Sequence, residues 1–413
     1  MLLLGGVCLA GATGGTNAEA AAGPDTWQLL GAVPARLQSP VEALAVDPGN
    51  HLVVLAGTQD GSIYRSADGG AHWTRTGKKM GHGVTAITFT PGVVGQVLAG
   101  TGGAGIWTST DDGAAWHPIG STRKEWIRAI VASDGVFAAG THHGVLLSSN
   151  GTTWTPAGLK QVDVSALTIV SGGTQPSIVA GGDAEHSGQA LPLFVTQSGG
   201  RTWTSVANTV SGSSMVSSLL TLPVAVGATS PTIILGTNGG LFQSTDGGAQ
   251  WSAHNGGGAL PPVDVSSLAL ANGSGQAYYV ASDGGASTSG GLWVTRDGGS
   301  TFASLAAPQP AVTALAVIPG PNPLVYAASF RPIDHAVTFW SYSDIGGIPQ
   351  GPAQAVTAPS QQGASAPQSN ATIDWVRALS HGPETPFLVL SAFTVLMLLL
   401  AIGAYARSAR RRL

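Results

Sequence analysis

Two aspartates, Asp163 and Asp264, each stand immediately before a V-S-x-L segment, in Asp163-Val164-Ser165-Ala166-Leu167 and Asp264-Val265-Ser266-Ser267-Leu268. Two carboxylates held about 6.5–9.5 Å apart across a sugar, one as acid and one as base, would hydrolyse a glycosidic bond with inversion. The same aspartates could instead terminate their loops by accepting backbone N–H bonds. A second grouping, His142 and His143 with Asp183, Glu185 and His186, has the residue types of a metal site. Adjacent histidines on a strand point to opposite faces, so only one could face a given ion, and no metal is expected. Further loops carry Lys78, Lys79 and His82, then Arg123, Lys124, Glu125 and Trp126, then Arg331, Asp334 and His335. These charged and aromatic types suit binding of a protein or a glycan. No cofactor is expected.

What positions these residues is a repeat. The pattern [V/I]-x-[A/S]-[L/I] recurs as VEAL at Val41, VTAI at Val84, IRAI at Ile127, VSAL at Val164, VSSL at Val216, VSSL at Val265 and VTAL at Val312. Each copy opens an apolar alternating strand, followed by a turn, a second strand such as PTIILGT, and a third such as SIYRS or GLFQS. Four antiparallel strands joined by tight turns, repeated every ~40–50 residues, are a β-propeller blade.

Between most copies lies a second pattern, S-x-D-x-G-x-x-W. The first strong copy is Ser66, Asp68, Gly70 and Trp73, and the second is Ser109, Asp111, Gly113 and Trp116. The third is Ser244, Asp246, Gly248 and Trp251, and the fourth is Thr295, Asp297, Gly299 and Phe302. Weaker copies lack the acid: Thr196, Ser198, Gly200 and Trp203 form one, and the SSNGTTW ending at Trp154 is the other. The aspartate suits acceptance of backbone N–H bonds in its own hairpin, the glycine a backbone closed to other residues, and the tryptophan the space between blades. Most acids and tryptophans of the chain are therefore architectural.

These turns resemble Asp-box (bacterial neuraminidase) repeats, found in sialidases, sortilin-type receptors, xyloglucanases and the photosystem II assembly and stability factor family. The G-T-x-x-G run before the turn is most similar to the last of these. The resemblance covers roughly residues 27–347 and implies a propeller whose binding loops lie opposite the motif turns. Those loops enter the first strand of each blade or join its second and third strands, and they hold the candidates above. A sialidase would need three arginines around a carboxylate and a tyrosine nucleophile. Here Arg123 and Arg331 are the loop arginines, Arg128 lies inside a strand, and Tyr64 sits in a third strand. The xyloglucanases resemble paired propellers embracing a cleft, whereas this chain holds one.

Seven V-x-A-L strands stand against six complete turns, and the seventh unit reaches Ser341-Tyr342-Ser343-Asp344-Ile345-Gly346 without a tryptophan. Near the start, WQLLG from Trp27 has the form of a fourth strand without a blade. The sequence therefore predicts an all-β, seven-bladed propeller closed by its N-terminal strand. A six-bladed ring with an orphan unit is the alternative.

The two ends read differently. Phe387 to Ala406 is a 20-residue run without charge, followed by Arg407, Arg410, Arg411 and Arg412. That length of helix crosses a ~30 Å hydrocarbon core, and arginines after it stay cytoplasmic. The expected organisation is a signal peptide (1–22), a propeller (23–347), a Pro/Ala/Ser/Gln-rich stalk (348–385), a membrane helix (386–406) and a basic cytoplasmic tail (407–413). The propeller then stands outside the cytoplasm. A net charge of −4 provides no basic face for nucleic acid. Cys8, the one cysteine, falls in the segment expected to be removed, so no disulfide or thiolate site is expected. The function anticipated is binding of a protein or glycan by a monomeric propeller, with glycoside hydrolysis as the alternative.

Overall fold

The computed structural model of the chain describes residues 25–346, apart from residues 32–36, 134, 171–175, 185, 187–188, 207–209, 211, 225–229, 272–275 and 286–289. The expected signal peptide, stalk, membrane helix and basic tail lie outside the described residues, as does Glu185. No helix among the described residues is long and apolar enough to cross a membrane.

The described chain forms seven four-stranded antiparallel sheets, the blades of a propeller. The innermost strands are Val41–Val46, Val84–Phe89, Ile127–Ser133, Val164–Val170, Val216–Thr221, Val265–Leu270 and Val312–Ile318. We number the blades 1–7 by these strands. In blade 1 the order continues outward through Val54–Thr58, Ile63–Ser66 and Thr74–Thr76. Each innermost strand contacts the next, and blade 7 contacts blade 1, so the ring is closed.

Closure takes the expected form. Trp27–Leu29 adds to Ala336–Ser343 as the outer strand of blade 7, with Trp27 opposite Tyr342 and Leu29 opposite Trp340. The Trp27 indole N–H donates to the Leu305 carbonyl of blade 6 at 2.8 Å, and its ring lies 5.0 Å from that of Tyr342. One chain end thereby covers the sheet edge that the other would leave open.

The apolar core is divided into seven clusters, one between each pair of adjacent blades. Second strands such as Val54–Thr58, Val97–Thr101 and Ile233–Thr237 are buried along their whole length because blades cover both faces. Their shared G-T ending has a packing reason. A Cβ on Gly57 would lie 2.5 Å from Cγ1 of Val84, and one on Gly100 would lie 2.6 Å from Cγ2 of Ile127. In five blades, 2 to 6, the first residue of the V-x-A-L element therefore nests on a glycine of the preceding blade, while Ala281 and Ala328 take that place before Val312 and Val41.

The S-x-D-x-G-x-x-W turns share one hydrogen-bond scheme. In blade 1 the Ser66 hydroxyl donates to Asp68 at 2.7 Å, Gly70 N–H donates to Ser66 Oγ at 2.8 Å, and His72 N–H donates to Asp68 at 2.9 Å. Blades 2, 5 and 6 repeat it around Asp111, Asp246 and Asp297. In those blades Gly113 N–H donates to Ser109 Oγ, Gly248 N–H to Ser244 Oγ and Gly299 N–H to Thr295 Oγ1, each at 2.8 Å. Where the acid is missing, another oxygen replaces it: Ser198 Oγ accepts Thr202 N–H at 2.9 Å, and Asn150 Oδ1 accepts Thr153 N–H at 2.8 Å.

The aromatic residues that end these turns pack between blades. Trp73 stacks on Phe339 of blade 7 with centroids 4.2 Å apart, and the Trp203 indole donates to Ala157 of blade 3. The Trp116 indole reaches Thr76 Oγ1 of blade 1 at 3.2 Å and the Gly113 carbonyl of its own turn at 3.0 Å. Trp251 is buried in the core between blades 4 and 5, and its indole donates to the Gly248 carbonyl at 3.0 Å. Phe302, which stands where the other strong copies have tryptophan, has no N–H to give. It packs instead against the core between blades 5 and 6, its ring edge-on to Tyr278 at 6.1 Å and to His254 at 6.2 Å.

Candidate binding face and channel mouth

In every blade the innermost strand slips register at the second residue of its V-x-A-L element. In blade 1, Val41 pairs with Thr58 and Ala43 with Gly57, so Glu42 is the extra residue. A bulge of this kind re-aims one side chain and bends its strand. The residues so placed are Glu42, Thr85, Arg128, Ser165, Ser217, Ser266 and Thr313, and all seven line one axial cavity of about 310 Å³. They sit at the end of the ring where the innermost strands begin, called the upper face here. Antiparallel connectivity brings the loops between second and third strands to the same face, and the S-x-D-x-G-x-x-W turns to the opposite one.

Beside this mouth, blades 3 and 4 assemble a connected group. Arg128 donates from Nη2 to Asp183 at 2.8 Å, and its Nη1 lies 3.9 Å from Asp163. Asp163 also meets His142 Nδ1 at 3.0 Å. Asp183 further accepts the Ser165 hydroxyl at 3.1 Å and the Val216 N–H of blade 5 at 3.0 Å. His142 packs edge-on against Trp126 at 4.6 Å, and its backbone N–H donates to the Trp126 carbonyl. Trp126 remains 50% exposed, an apolar plate beside a polar network.

Four residues expected from sequence thus converge: Trp126, His142, Asp163 and Asp183. His82 extends the group, since a Cβ on Gly103 would meet its ring at 3.1 Å while one on Gly102 would meet the Trp126 indole at 3.0 Å. Glu125 contributes its carbonyl to Gly105 N–H, and Lys78 and Arg123 are exposed at the rim, as is His186 on its own loop. Lys79 pairs with Asp60 at 2.5 Å. Arg331 and Asp334 form a two-bond ion pair on the long hairpin of blade 7, with His335 beside Phe330, apart from the Trp126 group.

The two aspartates of the hydrolytic alternative differ in surroundings. Asp163 is engaged by Arg128 and His142. Burial and the negative charge of Asp283 push the Asp264 carboxyl above its ordinary range. No hydrogen bond or ion pair joins Asp163 to Asp264 among the described residues. Nor does any set of three or more His, Cys, Asp or Glu residues there have the arrangement of a metal site.

Glu42 and Arg128 were not among the loop residues expected to matter, because each lies within a strand pattern. The signal was nonetheless present: the second position of V-x-A-L reads E, T, R, S, S, S, T, polar in seven copies of an otherwise apolar strand. Glu42 is exposed in the channel, but the surrounding protein still desolvates the carboxyl and raises its pKa. The Gln59 amide and the charge of Arg128 oppose that rise.

The fold is similar to those of several solved propellers. A GH74 xyloglucanase from Xanthomonas campestris matches with a TM-score of 0.54 at 17% identity, over 78% of this chain and 56% of that one. YCF48 bound to D1 peptide matches with a TM-score of 0.55 at 14% identity, over 77% of this chain and 94% of that one. YCF48 from Cyanidioschyzon merolae matches with a TM-score of 0.50 at 14% identity, over 77% and 98%. The chain therefore spans little more than half the length of the xyloglucanase. No family model matches the sequence, and no curated protein does. At such identities the likeness establishes a fold shared by hydrolases and peptide binders alike.

Proposed function

We propose that this chain is a non-catalytic, membrane-anchored propeller that binds a partner, foremost a protein, through its upper face outside the cytoplasm. The observation that carries this reading is the Trp126–His142–Asp163–Arg128–Asp183 group. Its ion pairs fix the geometry, while the exposed indole supplies apolar contact area. An aromatic anchor held in place by its neighbours is what protein interfaces use as a hot spot. YCF48, similar in fold and nearly covered in full by the match, is solved with a peptide bound. The anchor is inferred from the uncharged run 387–406 and the arginines after it. In an Asp-box reading of the turns, the motif residues hold the lower face and leave the upper loops free to vary.

The test is crosslinking in the native envelope with the full-length chain. A photoreactive residue replacing Arg123 should give a discrete protein adduct, lost when Trp126→Ala is added, while one replacing His72 on the lower face should give none. Equal adducts from both faces would overturn the proposal. A reporter fused after Leu413 that is active only outside the cytoplasm would overturn the topology.

Glycoside hydrolysis is the second reading, favoured by one observation: Asp264 beside Asp283 has the raised carboxyl that a general acid needs. Sugar release from a panel of polysaccharides and sialosides, abolished by Asp264→Asn or Asp163→Asn, would establish it over the binding reading.

A further inference from the structure

The seven bulged residues do more than line the channel; they set its hydrogen-bonding character. A hydroxyl has one proton to give and two lone pairs to receive. Thr85 gives its proton to the carbonyl of Ile127 in blade 3 at 2.8 Å. Ser266 gives its own to the carbonyl of Val312 in blade 7 at 2.7 Å. Ser165 donates to Asp183 at 3.1 Å, and Thr313 to the Ala328 carbonyl at 3.4 Å. Four of the five ring hydroxyls have thus committed their protons to the protein. Toward the channel they offer lone pairs alone.

The two charged members of the ring follow the same rule. Glu42 is acceptor-only when ionised, and no ion pair among the described residues supplies it with a cation. Arg128 is the one ring residue rich in donors, and it directs them outward to Asp183 and Asp163. Against its single positive charge stand those two carboxylates, so it offsets the charge of Glu42 only in part. The channel mouth is consequently rich in acceptors, poor in donors and negative, in a cavity of about 310 Å³. A multi-donor cation would satisfy all three features at once.

Resting on the reading of the upper face as a binding surface, we propose that the channel mouth receives an ammonium group from the partner, a lysine-type side chain whose three N–H donors meet Glu42 and the ring hydroxyls. A compact ammonium suits a narrow axial site better than a planar guanidinium, whose fork matches a flat bidentate acceptor. Burial raises the Glu42 carboxyl, and the Gln59 amide and the charge of Arg128 offset that rise only in part, which leaves room for a further cation.

The experiment is saturation-transfer NMR on the full-length chain in detergent, with Nα-acetyl-lysine methylamide as probe and its Nε-acetyl, arginine and norleucine counterparts as controls. The lysine probe should bind saturably, the arginine probe more weakly, and the other two not at all. Glu42→Gln should weaken lysine binding at least tenfold, with thermal unfolding confirming that the variant is folded. Ser217→Lys provides a second variant, because a tethered ammonium in the channel should displace the probe. Equal binding of the lysine and Nε-acetyl-lysine probes overturns the proposal, as does unchanged binding in both variants. If no lysine binding is found while adduct formation at Arg123 still depends on Trp126, the ammonium site falls and the upper-face reading stands.

Discussion

At the scale of single residues, a sharp constraint lies where a lower-face turn meets buried side chains. Gly299 has φ of 93°, and a Cβ there would come within 1.8 Å of His254 Nε2 and 2.7 Å of the Tyr278 hydroxyl. Gly299→Ala combines left-handed strain with a contact against packed rings. A loss of more than about 2 kcal/mol in chemical denaturation is expected. His254 itself is buried, and its Nε2 has no hydrogen-bond partner among the described residues. Burial lowers its pKa below the ordinary 6.5, opposed by the Gly298 backbone and the charge of Asp297. The unfolded chain therefore takes up a proton as pH falls through about 6.5 while the folded one resists it, so stability is present above that pH and drains away below it. Melting temperatures measured from pH 7.5 to 5 should decline, and His254→Leu should flatten that decline whatever it does to the absolute value. An unchanged slope would assign the acid sensitivity elsewhere.

The elements show how a repeated turn tolerates a lost acid. Burial alone would raise the Asp68 carboxyl, but bonds from His72 and Ser66 pull it down to about 2, and Thr301 holds Asp297 at about 2 as well. Such carboxylates contribute stability above the ordinary 3.8 that is lost as pH falls toward 2, a window separate from that of His254. Blade 3 achieves the same scheme with a neutral acceptor. Asn150→Asp keeps the oxygen that receives Thr152 and Thr153 N–H and adds charge. The exposure of this turn limits the gain to about 0.5 kcal/mol at pH 7. Comparing denaturation at pH 7 and pH 2 checks it, because the gain should shrink as the carboxyl is protonated.

The turns and the innermost strands were legible in the sequence because the hydrogen-bond scheme demands particular residue types at fixed spacing. The bulge was not, since alternation of apolar residues looks the same with or without one extra position. Arg128 therefore read as a strand residue, although the bulge turns it toward Asp163 and Asp183. Trp126, His142, Asp163 and Asp183 were recognisable as loop residues of the right types. Their convergence depends on blades 3 and 4 being neighbours and on the reach of one arginine, which no spacing records.

For the whole molecule, the property that matters is closure, because seven inter-blade cores are complete only if the ring has no open edge. Trp27 concentrates that requirement. It is 3% exposed, donates to Leu305 of blade 6, packs on Tyr342 of blade 7 and belongs to the core between those blades. Asp25 beside it accepts the Tyr342 hydroxyl at 3.2 Å and the Ile345 N–H at 3.1 Å, tying the first described residues to the last. Trp27→Ala should cost about 3–5 kcal/mol, the usual loss for emptying a buried aromatic site. Because the strand is only three residues long, the loss should also loosen blade 7 against its neighbour. Hydrogen exchange would register this as lowered protection in Ala336–Ser343 before the innermost strands respond. Leu29, two residues on and 60% exposed, is the control: Leu29→Ala should change stability by less than about 0.5 kcal/mol and leave exchange in that strand unaltered. Equal effects from the two substitutions would mean that the strand is held by its backbone pairing alone. The indole would then be a filler rather than the clasp of the ring.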